Sequence, residues 1–173
     1  MNAKPSLKLP VTVLATACAI LAGCTSVTVQ STKDTAAVHK IGRLFVLINH
    51  GDLGNQTYSN ELAANLRSVL SNPPPVMEIS IASPLELDEK VHVGRIQRFN
   101  PEAVLVIRLS TAVLDEFGGY PILKYDASLF DPKMEKRLWR GAVNNSGGTA
   151  LMKRRMRETA EVIISQLQKD GFL

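Results

Sequence analysis

Two five-residue runs constrain this chain more than anything else in it: Leu44-Phe-Val-Leu-Ile48 and Ala103-Val-Leu-Val-Ile107. Neither contains a polar residue. A strand with one wet face alternates apolar and polar positions, whereas a strand apolar at every position must be covered on both faces. Such strands belong in a sheet flanked by helices. The intervening sequence supplies those helices. Leu62, Leu66, Val69 and Leu70 fall at i, i+4, i+7 and i+8, which predicts an amphipathic helix over 57–71. Pro73-Pro-Pro75 ends it. Met77, Ile79 and Ile81 then alternate with polar neighbours as a second strand. A further helix is expected between Pro84 and Asn100, with Val91, Ile96 and Phe99 on its buried side.

After the second apolar run the pattern changes. Leu123, Tyr125, Ala127 and Leu129 alternate with Lys124, Asp126 and Ser128, and Leu138–Val143 forms another strand. Asp131-Pro-Lys-Met-Glu-Lys136 between them is turn chemistry. Thr149 is the expected N-cap of a last helix, in which Met152, Met156, Ala160, Ile163 and Leu167 keep the helical period and Gly171 stops it. The expected fold is α/β (α+β): a single mixed sheet in β-α-β-α-β-β-β-α order with helices packed on it. The first three strands are joined by right-handed crossovers, and the last three form an antiparallel meander.

The N-terminal segment answers a different question, where the domain is held. Lys4 and Lys8 precede Val11–Ala22, about a dozen apolar residues, where a spanning helix needs roughly 20. This is signal-peptide anatomy. Its ending, Leu21-Ala-Gly-Cys24, resembles the lipobox of bacterial lipoproteins. The resemblance implies a signal peptide over 1–23 and lipidation of Cys24, with palmitate-type acyl chains holding the protein at a membrane. Thr25 and Ser26 in place of an Asp retention signal imply the outer membrane, with the domain facing the periplasm. Cys18 then departs with the signal peptide and Cys24 is acylated, so no disulfide forms. Residues 24–40 are rich in Ser, Thr, Val and Ala and read as a lipidated tether, with at most a short edge strand at Ser26–Gln30. One domain over 41–173 remains, enough chain for a core without staples. Lys4 and Lys8 supply two of the formal charges, so the rest of the chain carries +2 of the total +4. With aromatics at 5% and not interleaved with the cations, nothing suggests nucleic acid and no nucleic-acid partner is expected.

The element order, together with Asn100-Pro-Glu-Ala-Val-Leu-Val-Ile107 and Ala127-Ser-Leu-Phe-Asp-Pro-Lys-Met-Glu-Lys-Arg-Leu-Trp-Arg-Gly141, resembles a family. Its members are small outer-membrane lipoproteins on the fold shared by the curli export lipoprotein CsgG, the N-terminal domain of TolB and the penicillin-binding-protein activator LpoB. The group includes GNA1162-like and PelC-like lipoproteins. Asp131, Lys136 and Trp139 match the family's Asp-x-x-Thr-Gly-Lys-x-x-Trp pattern, and Met134-Glu135 replaces its Thr-Gly. The resemblance implies a non-enzymatic accessory or scaffold part without a cofactor, which meets envelope protein partners and sometimes builds homo-oligomeric rings.

Residues that carry chemistry are few. His39, His50 and His92 have no ligand spacing among them, so no metal site is expected. His50, with Asp52 and Ser59 nearby, follows the first apolar strand, where α/β folds place ligands. It is the focus of the competing reading, a periplasmic lipid-anchored hydrolase. Asp115 and Glu116 are adjacent and point to opposite faces of a strand, so they form no dyad. Thr149, Lys153, Arg154, Arg155 and Arg157 gather at a helix start, where free N–H groups favour an anion or acidic partner and four cations oppose the helix dipole. The same residues also read as a solvated face paired with Glu158 and Glu161. Trp139, beside Arg137 and Arg140, is a core residue on one reading; on the other, Trp139 and Arg140 make a membrane or assembly contact.

Overall fold

The computed structural model describes residues 26–51, 56–70, 75–82 and 90–173. The signal peptide, Cys24, Asp52, Pro73 and the start of the second predicted helix lie outside them. Among the described residues the elements run β1 (Ser26–Lys33), β2 (Arg43–Asn49), α1 (Thr57–Val69), β3 (Val76–Ile81), α2 (Lys90–Phe99), β4 (Ala103–Val113), β5 (Ile122–Phe130), β6 (Arg137–Ser146) and α3 (Met152–Lys169). They form one six-stranded mixed sheet in the order β1-β6-β5-β4-β2-β3. β2 lies parallel to both β3 and β4, and β4-β5-β6-β1 is antiparallel throughout. This is the expected α/β architecture, with one extension. Residues 26–33, read as the body of a tether with an edge strand to Gln30, pair with β6 along their whole length, from Ser26 opposite Ser146 to Lys33 opposite Trp139. The ordered sheet therefore takes in much of the expected tether.

The topology decides which sheet face is covered. From β2 the chain moves outward to β3, then back past β2 to β4, so the two right-handed crossovers deliver their helices to opposite faces. α1 lands on the same face as α3. Leu44, Val46 and Ile48 of β2 meet Leu62 and Leu66 of α1 there, and Leu105, Ile107, Leu123, Tyr125 and Trp139 meet Met156, Ala160, Ile163 and Leu167 of α3. α2 lies on the other face, where its Arg95 donates to Glu78 and Ser80 of β3, and Ile96 and Phe99 pack on Phe45, Val104 and Val106 of β2 and β4. That double coverage explains why both strands are apolar at every position. Val91, expected on the buried side of α2, is 45% exposed.

Among the described residues, no helix lies on the second face of β5, β6 and β1. Lys124, Arg140, Ala142, Asn144, Thr28, Gln30 and Thr32 are exposed there, with Asp126 and Ser128 half-buried. The alternation in β5 and β6 is the sequence imprint of this half-open sheet.

Candidate functional site

The open half of the sheet holds a shallow cleft of about 220 Å³ lined by Val106, Arg108, Asp126, Ser128, Phe130, Arg137 and Arg140. Each side chain arrives by strand register. Arg108 on β4 lies opposite Asp126 on β5, and Ser128 opposite Arg140 on β6. Arg140 Nη2 donates to Asp126 Oδ1 at 3.1 Å, and the Arg137 guanidinium stands 5.5 Å from the centre of the Phe130 ring. Arg108 is exposed, with no hydrogen bond or ion pair among the described residues. Three arginines and one aspartate thus line the cleft, which leaves a cationic excess on planar, forked donors suited to carboxylate or phosphate oxygens. In the sequence reading Arg140 and its neighbour Arg137 enter only beside Trp139, with Arg140 as a membrane or assembly contact; Arg108 does not enter it. Their signal was present: Arg108, Asp126 and Arg140 occupy the polar phase of three strands. Which strands would be neighbours was the missing information.

The cationic start of α3 divides in two. Lys153, Arg154 and Arg157 are exposed, and each has an acidic neighbour: Glu61 at 3.9 Å, Glu158 at 2.7 Å and Glu161 at 2.8 Å. These are exposed pairs of small energetic value. Arg155 is different, being 0% exposed. Its Nε donates to Asn145 Oδ1 at 2.6 Å, Nη1 to the carbonyls of Tyr120 and Gly147 at 2.8 and 3.0 Å, and Nη2 to those of Pro121 and Asn145 at 3.3 Å each. Asn145, itself buried, donates onward to Thr159 Oγ1 at 2.7 Å. Burial pushes the Arg155 pKa down, and the nearby Tyr58 and Tyr125 hydroxyls oppose that. The expectation that Arg155 meets an external anion is therefore corrected: its donors are already directed to internal acceptors. Thr149 also departs from expectation. A single 3₁₀ turn, Thr149–Leu151, precedes α3, whose N-cap is Leu151 and receives no side-chain hydrogen bond. Thr149 packs instead on Gly119, where a Cβ would fall 2.1 Å from its Oγ1.

Trp139 is 1% exposed, so in the folded chain it presents nothing to a bilayer. Its Nε1 donates to Asp170 Oδ2 at 2.8 Å. Arg140, the next residue, faces the open side.

His50 and Ser59 are buried, at 5% and 3% exposure. Ser59 Oγ lies 2.7 Å from His50 Nδ1, the Tyr125 hydroxyl 3.1 Å from Nε2, and that hydroxyl reaches Met156 Sδ at 3.6 Å. A neutral imidazole satisfies this chain: it accepts from Ser59, donates to Tyr125, and Tyr125 donates to the sulfur. Burial holds the His50 pKa at about 4 against an ordinary 6.5. The consequence is a pH-dependent stability. Between pH 6.5 and 4 the unfolded chain binds a proton at this residue and the folded chain does not. The contribution is complete above 6.5 and is lost as pH falls, in total on the order of 3 kcal/mol. Urea unfolding of the wild type is expected to show this loss between pH 7 and 4.5, and a His50→Gln variant is expected to lack most of the slope there. An equal slope in both would place the titrating group elsewhere. His39 lies exposed with Nδ1 2.9 Å from the Ala37 carbonyl oxygen, and His92 Nδ1 is 3.1 Å from Ser80 Oγ. Among the described residues, no three His, Cys, Asp or Glu side chains converge as a metal site.

What the fold defines is a class of small domain: one mixed sheet, helices over one face, half of the other left bare. Among solved structures a PelC variant dodecamer from Paraburkholderia phytofirmans matches at TM-score 0.50 and 13% identity, covering 79% of this chain and 97% of that one. At that identity the likeness is one of fold. A second PelC dodecamer from the same organism gives 0.48 at 15% identity, covering 80% and 97%. Lipoprotein GNA1162 from Neisseria meningitidis gives 0.40 at 15%, covering 73% and 99%. No protein-family model matches the chain, and no characterised protein matches it by sequence.

Proposed function

We propose that this protein is a non-enzymatic lipoprotein anchored through Cys24 to the outer membrane, facing the periplasm. There it serves as an accessory or scaffold component of a cell-envelope assembly or of a system that exports a surface polysaccharide or protein. The observation that carries the reading is the arginine-lined cleft of Arg108, Arg137 and Arg140 on the bare half of the sheet, an open face suited to a partner surface bearing anionic groups. The lipobox-like Leu21-Ala-Gly-Cys24 supports the location. The fold shared with a dodecamer-forming protein makes a homo-oligomeric ring part of the proposal. Lys153, Arg154 and Arg157 remain candidates for a second acidic contact; Arg155 does not.

The competing hydrolase has one observation in its favour, the 2.7 Å separation of Ser59 Oγ and His50 Nδ1. Against it stand the burial of both side chains, a tyrosine hydroxyl where a triad would place a carboxylate, and a pKa of about 4, which makes His50 a feeble base near neutrality.

Crosslinking in cells tests the proposal. The wild type should capture a specific envelope protein, and Arg108→Glu with Arg140→Glu should lose it while the melting temperature holds. Cys24→Ser should leave the chain uncleaved or release it from the outer membrane. Ester or amide turnover abolished by Ser59→Ala, with no crosslinked partner, would replace the scaffold reading with the hydrolase.

A further inference from the structure

The two most exposed large apolar side chains among the described residues lie in the hairpin between β4 and β5. Phe117 is 88% exposed, Leu114 60%, Val113 42% and Ile122 38%. The loop carrying them is tightly built. Asp115 Oδ1 accepts from the backbone N–H groups of Phe117 at 3.0 Å and Gly119 at 2.7 Å, and the Asp115 N–H donates to the Gly119 carbonyl at 2.8 Å. Gly118 takes φ 78°, a conformation that glycine supplies without strain. Phe117 is thus held outward by a hydrogen-bonded turn.

The register says where this tip points. Val113 pairs with Ile122, Ile122 with Ser146, and Ser146 with Ser26. All four residues lie in one row at one end of the sheet. Ser26 is the first residue of β1, and Cys24 precedes it by two positions. Two residues span at most about 7 Å, and three interstrand gaps place Val113 about 14 Å from Ser26. Ser26, two positions after the residue that would carry the acyl chains, therefore stands at the same end of the sheet as the apolar tip.

We infer that the 113–122 hairpin is a second membrane contact, an apolar wedge that enters the lipid surface holding the acylated Cys24 and orients the domain on it. The inference rests on the lipid-anchor reading above. The tip carries Asp115 and Glu116 and no Lys or Arg between 113 and 122. Attraction to anionic headgroups is therefore not its driving force, and burial of Phe117 and Leu114 is. Two contacts at one end of the sheet would fix the tilt of the domain. A lone flexible anchor would not.

The test uses the full-length lipidated protein reconstituted in phosphatidylcholine vesicles. Phe117→Trp places a reporter on the tip, and Met134→Trp places a control in the β5–β6 turn at the opposite end of the sheet. The native Trp139, buried in both, supplies a constant background. The reporter at 117 should shift to the blue and be quenched by brominated acyl chains, equally at low and high salt. The reporter at 134 should do neither. Mass spectrometry of the N-terminal peptide reports acylation separately. An acylated Cys24 with a reporter at 117 that stays water-exposed overturns the wedge and leaves the anchor standing. An unacylated Cys24 overturns the anchor and the wedge with it. A blue shift that grows with protein concentration in the absence of lipid assigns the tip to contact between copies and overturns the inference.

Discussion

Replacing Trp139 with Ala is expected to cost about 3–5 kcal/mol, a large part of the 5–15 kcal/mol that holds a typical domain together. The ring is 1% exposed and lies across Gly141, where a Cβ would stand 2.4 Å from Cη2. Truncation leaves a cavity bounded by strand backbone and α3, which a rigid sheet cannot collapse to fill. It also removes a donor from Asp170, which accepts from Ser31 Oγ at 2.9 Å, Gln166 Nε2 at 3.0 Å and Trp139 Nε1 at 2.8 Å and faces Lys33 at 3.6 Å. Burial pushes the Asp170 pKa up, but those hydrogen bonds and the lysine outweigh it and leave the group below its ordinary 3.8. The indole therefore joins the core to the polar knot that ties β1 to the end of α3. Trp139→Phe keeps most of the ring and loses the hydrogen bond, so it should cost less than the alanine. Gly141→Ala attacks the same contact from below and should cost about 1–3 kcal/mol by displacing the ring. Urea unfolding followed by circular dichroism checks the series. A loss under 1 kcal/mol for Trp139→Ala would return the residue to the surface.

Arg155→Met should be comparably damaging, about 3–5 kcal/mol, although methionine fills much of the same volume. The reason is what remains behind. Asn145 Oδ1 and the carbonyls of Tyr120 and Gly147 accept from the guanidinium, and each buried acceptor left unpaired costs about 1–3 kcal/mol; the Pro121 carbonyl keeps the Gly147 N–H as a donor. The arginine fastens α3 to the end of β6 and to the loop entering β5. Lys153→Gln, Arg154→Gln and Arg157→Gln together should change stability by only a few tenths of a kcal/mol per site, since removing cations from a helix start offsets the exposed pairs lost. Equal effects from the buried and the exposed arginines would contradict this division.

The division was partly legible in the chain. Met152, Met156, Ala160 and Ile163 define the buried stripe of α3, and residues 155 and 159 fall on it by helical period. Arg155 and Thr159 are thus polar residues at core positions, whereas Lys153, Arg154 and Arg157 are not. Read as a run of charge the four cations look alike; read by phase one of them stands apart. β1 shows the opposite case. Val27 and Val29 mark its beginning, but its last residues, Ser31 to Lys33, have no apolar signal. They are ordered by pairing with β6 and by Asp170, 137 residues or more along the chain.

By itself the sequence determined β2 to β6 and the three helices, their order and the mixed character of the sheet, because burial on one face or two writes a period into each of these elements. The Asp131 turn was equally local: that side chain accepts from the Glu135 and Lys136 N–H groups, four and five residues on. Tertiary structure alone decided that Trp139 lies inside, that Arg108 and Arg140 share a cleft, that Ser59 and Tyr125 close around His50, and that Ser26 and Val113 lie in one row. Each of these depends on which strands become neighbours and which face the crossover helices cover. That is settled by long-range packing, and no local period records it.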